Sequence, residues 1–271
     1  MKNLMISVLC VGMVILLLTA GCTSTNPSAS PEKKPDTANA TPTGTKLVYK
    51  VGIDAVYPPF SLMNVSGEPT GFDVESLKWI ANDQGFTPEF LPIAWDGIIP
   101  ALTAGKIDMV YAGMTITDER KAKVNFSKPY WTVNQMVVTK EGSPITLEEI
   151  KTGKAKIGTQ RGCTAAIWVE ENLVNKSLMP GDNLKQYDNT PLAVEDLAAG
   201  RIDSVVYDST VMNDIIAGKP VQKVGMIETN EQFGIAVRKD DTVLLEKLNT
   251  GLDHLMASPD WKALIQKYNL E

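Results

Sequence analysis

The string Thr117-Asp-Glu-Arg120 is the first place in this chain where side-chain types and spacing could do chemistry. The Thr117 hydroxyl can cap a helix start, which would point the Arg120 guanidinium toward the ends of neighbouring strands. A planar fork of donors meets a carboxylate with two parallel hydrogen bonds, which a lysine cannot do. The plainer alternative is a surface ion pair with Asp118 or Glu119. Asp208 follows an apolar strand and precedes Ser209. It is either a helix N-cap or an anion presented at a strand end, where open α/β sheets bind ligands.

Residues for acid–base or covalent catalysis are sparse by comparison. His254, the only histidine, lies between Leu252 and Leu255 on an amphipathic stretch and reads as a surface or packing residue. Cys163 has no histidine partner. No His/Cys/Glu cluster has metal-ligand spacing, and there is no Gly-rich phosphate loop. No catalytic residue, metal or cofactor is therefore expected.

The elements that must position Arg120 and Asp208 follow from the periodicity. Short apolar runs alternate with amphipathic stretches from Lys46 onward, the pattern of an α/β fold. Strands are predicted over 47–53, 87–92, 108–112, 156–159, 204–207 and 233–237. Helices are predicted over 72–82, from an Asp96 cap through Leu102, over 164–173, 191–199 and 209–217, from Thr242 through Leu255, and from Ser258-Pro259. Thr146-Leu-Glu-Glu149 reads as a capping box. An internal echo, Leu102-Thr-Ala-Gly-Lys-Ile-Asp-Met-Val-Tyr111 against Leu197-Ala-Ala-Gly-Arg-Ile-Asp-Ser-Val-Val206, implies two similar units. The alternative is that Leu-x-Ala-Gly-x-Ile-Asp is a common helix-to-strand turn.

Composition narrows the class further. The chain has 271 residues, of which 44% are apolar and 21% charged, enough for two modest cores. A net charge of −6 and no basic cluster in the folded part argue against a nucleic-acid partner. Residues 1–21 read as an export signal: Lys2, an apolar run Leu4 to Leu18, then Thr19-Ala-Gly before Cys22. The end of this segment resembles a lipobox, with Thr19 at a place usually held by an aliphatic residue. That resemblance implies that Cys22 is lipidated and becomes the mature N-terminus; simple secretion is the alternative. Residues 22–45 are Ser/Thr/Pro/Ala-rich and read as a flexible tether. With Cys10 in the signal and Cys22 as anchor, Cys163 has no partner for a disulfide.

From about residue 46 to its end the chain resembles the polar amino-acid family of periplasmic solute-binding proteins of ABC transporters. Four strings carry the resemblance, in order: Gly52-Ile-Asp-Ala-Val-Tyr-Pro-Pro-Phe60; Trp95-Asp-Gly-Ile-Ile-Pro-Ala-Leu102; Gly113-Met-Thr-Ile-Thr-Asp-Glu-Arg120 followed by Val124-Asn-Phe-Ser-Lys-Pro-Tyr130; and Gly158-Thr-Gln-Arg-Gly162 with Tyr207-Asp208 beyond it. The implied fold is a type 2 periplasmic-binding-protein clamp, two α/β lobes joined by two hinge strands. Lobe 1 would comprise 46–136 and the return 232–271, lobe 2 would comprise 137–231, and the crossings would fall near Asn134 to Val138 and Thr229 to Gly234.

The resemblance also implies a site for a free, polar or cationic L-amino acid. Arg120 would grip the α-carboxylate, with further donors from Gly113, Thr115 and Thr164, and Asp208 would bind the α-ammonium. Tyr57 and Trp95 would sandwich the ligand side chain, and Asp54 and Gln160 would read its far end. Phe60, Met114, Gly162 and Cys163 complete the implied set; Cys163 stands where Thr or Ser is common. Implied partners are a membrane permease and its ATPase, with the protein an extracytoplasmic, lipid-anchored monomer. Two rival readings remain at this stage, an enzyme of the same fold resembling cyclohexadienyl dehydratase and a ligand-binding module for a membrane sensor.

Overall fold

Two five-stranded sheets carry the fold, and they share one pattern. Across the first sheet the order is Phe86–Pro92, Leu47–Ile53, Met109–Val110, Ala236–Val237, Asn125–Phe126. Across the second it is Leu184–Tyr187, Ile157–Gln160, Ser204–Asp208, Trp131–Lys140, Val221–Phe233. In each, three parallel strands are followed by two strands that each run antiparallel to the one before. This is the expected two-lobed α/β architecture. These relations come from a computed structural model describing residues 47–270; the export segment 1–21, Cys22 and the tether expected over 22–45 lie outside the described residues.

The sequence echo is a structural repeat. After Gly105 the Asp108 carboxylate accepts from the backbone N–H of Lys50 at 2.8 Å, and after Gly200 the Asp203 carboxylate accepts from Lys156 N–H at 2.7 Å. In each unit the isoleucine of the motif fills the space above a strand glycine. A Cβ on Gly52 would lie 2.5 Å from Ile107, and one on Gly158 would lie 2.6 Å from Ile202. The motif therefore fixes how each helix docks on its sheet.

Helices cover both sheets. Phe72–Gln84 buries Phe72, Val74, Leu77, Ile80 and Ala81 at roughly helical spacing, and Gly85 ends it in the left-handed conformation. Thr242–Ala257 buries the stripe Leu244, Leu248, Leu252 and Leu255. Each such side chain contributes roughly 1.5–3 kcal/mol on leaving water, and the two helices pack closely on each other: a Cβ on Gly251 would lie 2.5 Å from Ile80. The Thr146 capping box is present in both halves. Two expectations shift. The helix expected to start at an Asp96 cap begins at Trp95, because Gly97 N–H already bonds to Ala94, and the Asp96 carboxylate faces Arg161 at 3.5 Å instead. The helix expected over 164–173 is α-helical only over Thr164–Val169 and continues as a π turn, Glu170–Val174. There the Asn172 amide takes the Trp168 carbonyl, competing with the backbone ladder.

Two long strands, Trp131–Lys140 and Val221–Phe233, pair along nearly their whole length. Their register jumps between Ile227 and Glu231. Asn134 holds the jump: its carbonyl accepts from the N–H groups of Thr229 at 3.0 Å and Asn230 at 2.8 Å, while Asn230 adopts φ +50°. After Phe233 the chain enters the first sheet as Ala236–Val237.

Candidate functional site

Asp208 ends strand Ser204–Asp208 and stands in the N-cap position of helix Ser209–Ile216, yet its side chain caps nothing. Its carboxylate turns into the cleft between the sheets, where it accepts from the Tyr57 hydroxyl at 2.5 Å and from the Gln135 amide at 2.7 Å. Burial, followed by the nearby Glu231 charge, pushes the Asp208 carboxyl up to about 7. Asp208 is 7% exposed and Gln135 is fully buried.

Arg120 lies in helix Asp118–Lys123, whose Thr117 cap accepts from Arg120 N–H at 3.2 Å as the sequence suggests. Arg120 is 6% exposed, and its guanidinium donates only to carbonyls, to Thr115 at 2.8 Å and to Gly162 at 3.1 Å. It stands over the Trp95 ring, 5.4 Å from its centre. Burial pulls its pKa below the ordinary arginine value. Among the described residues it forms no ion pair within 4.0 Å. A buried cation with three of its five N–H donors uncommitted is prepared for an anion.

A third group joins Asp54, Gln160 and Tyr207. Gln160 donates to Asp54 at 2.9 Å across the cleft and accepts from the Tyr207 hydroxyl. Burial raises the Asp54 pKa, while the Gln160 bond pulls it down. Trp95 closes the same boundary by donating to the Gly162 carbonyl at 3.2 Å. One cavity of 550 Å³ is lined by Trp95, Ile99, Met114, Arg120 and Ile167, and another of 360 Å³ by Thr115, Thr164, Trp168 and Glu231. Either volume is within the range that holds a small ligand.

Not every expected residue presents the group expected of it. Gly113 does not offer its N–H to the cleft, because Asp73 accepts it at 2.7 Å. Asp73 is fully buried, also accepts from Tyr130 at 2.9 Å, and is raised to about 7 by burial. Phe60 is wholly buried behind Tyr57, stacked on it at 5.5 Å and packed among Phe72, Trp131 and Phe233. It supports the site without lining it. Cys163 precedes helix Thr164–Val169 as a buried thiol pushed up to about 12 by burial, so it stays protonated. His254 sits on the surface, 2.8 Å from Asp83. Among the described residues no group of acidic, histidine or cysteine side chains is placed to hold a metal.

Sequence reasoning missed Gln135, Glu231 and Asp73. Gln135 donates from one amide nitrogen to Asp208 and, at 2.9 Å, to Glu231. Glu231 accepts in turn from the hydroxyls of Thr115, at 3.0 Å, and Thr164. The only trace of Gln135 in the sequence is a polar residue inside Val133-Asn-Gln-Met-Val-Val138.

A buried arginine from a short helix and a buried aspartate at a strand end, set in one cleft between two α/β sheets, fit the class of two-lobed solute-binding proteins. Residues 49–271 match the model of the bacterial extracellular solute-binding proteins, family 3, and the chain belongs to that family. The L-arginine-binding protein of Pseudomonas aeruginosa is 36% identical over 229 residues, covering 81% of this chain and 86% of that protein. An ancestral arginine-binding protein bound to arginine superposes with a TM-score of 0.75 at 39% identity, over 82% of this chain and 97% of the other. An ancestral amino acid-binding protein described as a precursor of cyclohexadienyl dehydratase gives 0.72 at 36% identity, over 82% and 95%.

Proposed function

We propose that this protein captures a free polar or cationic L-amino acid in the cleft between its lobes and delivers it to an ABC permease and its ATPase. The observation that carries the reading is the pair Arg120 and Asp208, a buried cation and a buried anion contributed by opposite lobes to one cleft. An amino-acid zwitterion completes both at once, and only closed lobes let it do so. Lobes formed by 46–136 with 232–271, and by 137–231, would rotate about the crossings near Asn134 and Thr229.

Of the buried charged groups bonded across the cleft among the described residues, two are carboxylates, Asp54 and Asp208, and one is a cation, Arg120. A zwitterion adds no net charge, so a ligand with a cationic side chain balances the site best; this supports arginine, lysine or histidine over glutamine. Charge-assisted contacts at about 1.5–3 kcal/mol each, with burial of the ligand side chain, reach about −8 kcal/mol, the scale of a micromolar Kd.

We place the protein outside the cytoplasmic membrane, exported by residues 1–21 and anchored through a lipidated Cys22, as a monomer. We read it as a binding protein and not an enzyme, because the Cys163 thiol is held protonated and the sole histidine lies on the surface. The dehydratase-precursor relative makes the enzyme the second reading. Calorimetric titration of the protein, unfolded and refolded to strip bound ligand, against the twenty amino acids tests this function. Micromolar or tighter binding to one or a few of them supports it, and binding to none overturns it.

A further inference from the structure

Glu231 lies just past the register jump of the long strand pair and lines the same cavity as Thr115 and Thr164. One of its carboxylate oxygens accepts from two hydroxyls, Thr115 of the first lobe at 3.0 Å and Thr164 of the second. The other oxygen accepts from Gln135 at 2.9 Å. A single carboxylate thus links both lobes and the hinge, using the side chains of two residues, Thr115 and Thr164, expected to donate to a bound amino acid.

We propose that Glu231 is a tethered stand-in for the ligand carboxylate: in the ligand-free clamp it occupies the hydroxyl half of the carboxylate site, so ligand entry exchanges one carboxylate for another. This rests on the amino-acid-binding reading above and adds a residue that sets its affinity. Each threonine hydroxyl has one proton. While the Thr115 and Thr164 hydroxyls donate to Glu231, neither hydroxyl can donate to a ligand.

The imitation is incomplete in a way that lets the ligand win. Arg120 bonds to carbonyls and not to Glu231, so the stand-in leaves the cation unpaired. A ligand carboxylate takes the guanidinium and the hydroxyls together. Its ammonium then meets Asp208, which loses the neighbouring Glu231 charge as that side chain withdraws. Gln135 marks the exchange point, since its two amide protons go to Asp208 and Glu231 and its buried carbonyl has no partner. With both protons turned to carboxylates, the amide cannot flip without setting its oxygen against them.

The anchor is built to move with the hinge. Asn134 binds both residues before Glu231, so the side chain is carried by the segment that bends when the lobes part. In the alternative role Glu231 would stay in place and accept the ligand ammonium beside Asp208. The two roles predict opposite effects of deleting the side chain.

The test compares wild type, Glu231→Ala and the near-isosteric Glu231→Gln, all stripped by refolding, with thermal melts to confirm folding. Small-angle scattering of the ligand-free proteins should show a larger radius of gyration for Glu231→Ala. Calorimetry against the twenty amino acids should show the one that wild type binds held about three- to tenfold more tightly by Glu231→Ala, because the competent state is no longer shared with the latched one. Glu231→Gln, which keeps an acceptor, should fall between. Unchanged scattering overturns the proposal, and so does equal or weaker binding by Glu231→Ala. If wild type binds no amino acid, the function proposed above fails, and the scattering of the ligand-free pair still decides whether Glu231 latches the lobes.

Discussion

The Tyr57 hydroxyl donates to the Asp208 carboxylate at 2.5 Å across the cleft, joining residues 151 positions apart. Burial and the nearby Glu231 charge hold the Asp208 carboxyl up at about 7, and the Tyr57 bond, which pulls it down, brings no compensating positive charge. A ligand ammonium offers both bond and charge, so exchange of partners at Asp208 favours binding. Asp208→Asn keeps the shape and removes the charge. Calorimetry on this variant should show affinity falling by roughly 30- to 1,000-fold, the scale of about 2–4 kcal/mol for a buried charged partner. Unchanged affinity would remove Asp208 from the ammonium site.

Affinity should also depend on pH in a defined direction. Asp208 stands at about 7 in the ligand-free protein and must ionise to hold an ammonium. Binding then releases a proton below pH 7, and affinity falls as pH drops, by up to about tenfold per unit. Titrations at pH 6 in two buffers of different ionisation enthalpy measure that proton directly.

Stability of the ligand-free protein should run the opposite way. Asp73 and Asp208 both have folded-state pKa values raised to about 7. Their contribution is fully present below the ordinary carboxylate range and is lost as pH rises through 7. Melting temperature should therefore fall between pH 5 and pH 8, and Asp73→Asn should flatten part of that slope.

Asp54 is bonded to Gln160 at 2.9 Å, and the proposed function makes it the residue that reads the far end of the ligand. Asp54→Asn should weaken a cationic ligand such as arginine by about 10- to 100-fold while changing glutamine binding little, consistent with loss of a charge-assisted bond. Competition titrations with the two ligands check this; equal losses for both would show that Asp54 does not read ligand charge.

Gly113 adopts φ +58°, and a Cβ there would lie 2.3 Å from the Tyr57 ring. Gly113→Ala should cost at least about 1–3 kcal/mol from the backbone conformation alone and displace Tyr57 from Asp208. Denaturant melts and the same titration would register both effects.

Much of the fold can be read from local pattern. Gly85 as a helix stop, the Thr146 capping box and the leucine stripe of the long C-terminal helix involve residues a few positions apart, so composition and spacing carry them. Arg120 and Asp208 are recognisable because their motifs are contiguous strings. Gln135, Glu231 and Asp73 are not, since each acquires its role from a partner far along the chain: 73 positions from Gln135 to Asp208, 116 from Thr115 to Glu231, 40 from Asp73 to Gly113.

By itself the sequence determined the alternation of strands and helices, the duplicated Gly-x-Ile-Asp turn, an arginine on a Thr117-capped helix and an aspartate at a strand end. Apolar periodicity and caps act within one or two turns, and that is enough to set such elements. Only the tertiary structure decided that Asp208 leaves its helix cap for the cleft, that Gly113 spends its N–H on Asp73, and that Glu231 occupies the threonine hydroxyls. Buried polar groups must find partners wherever packing brings them, and lobes meeting across a cleft offer partners that no local spacing records.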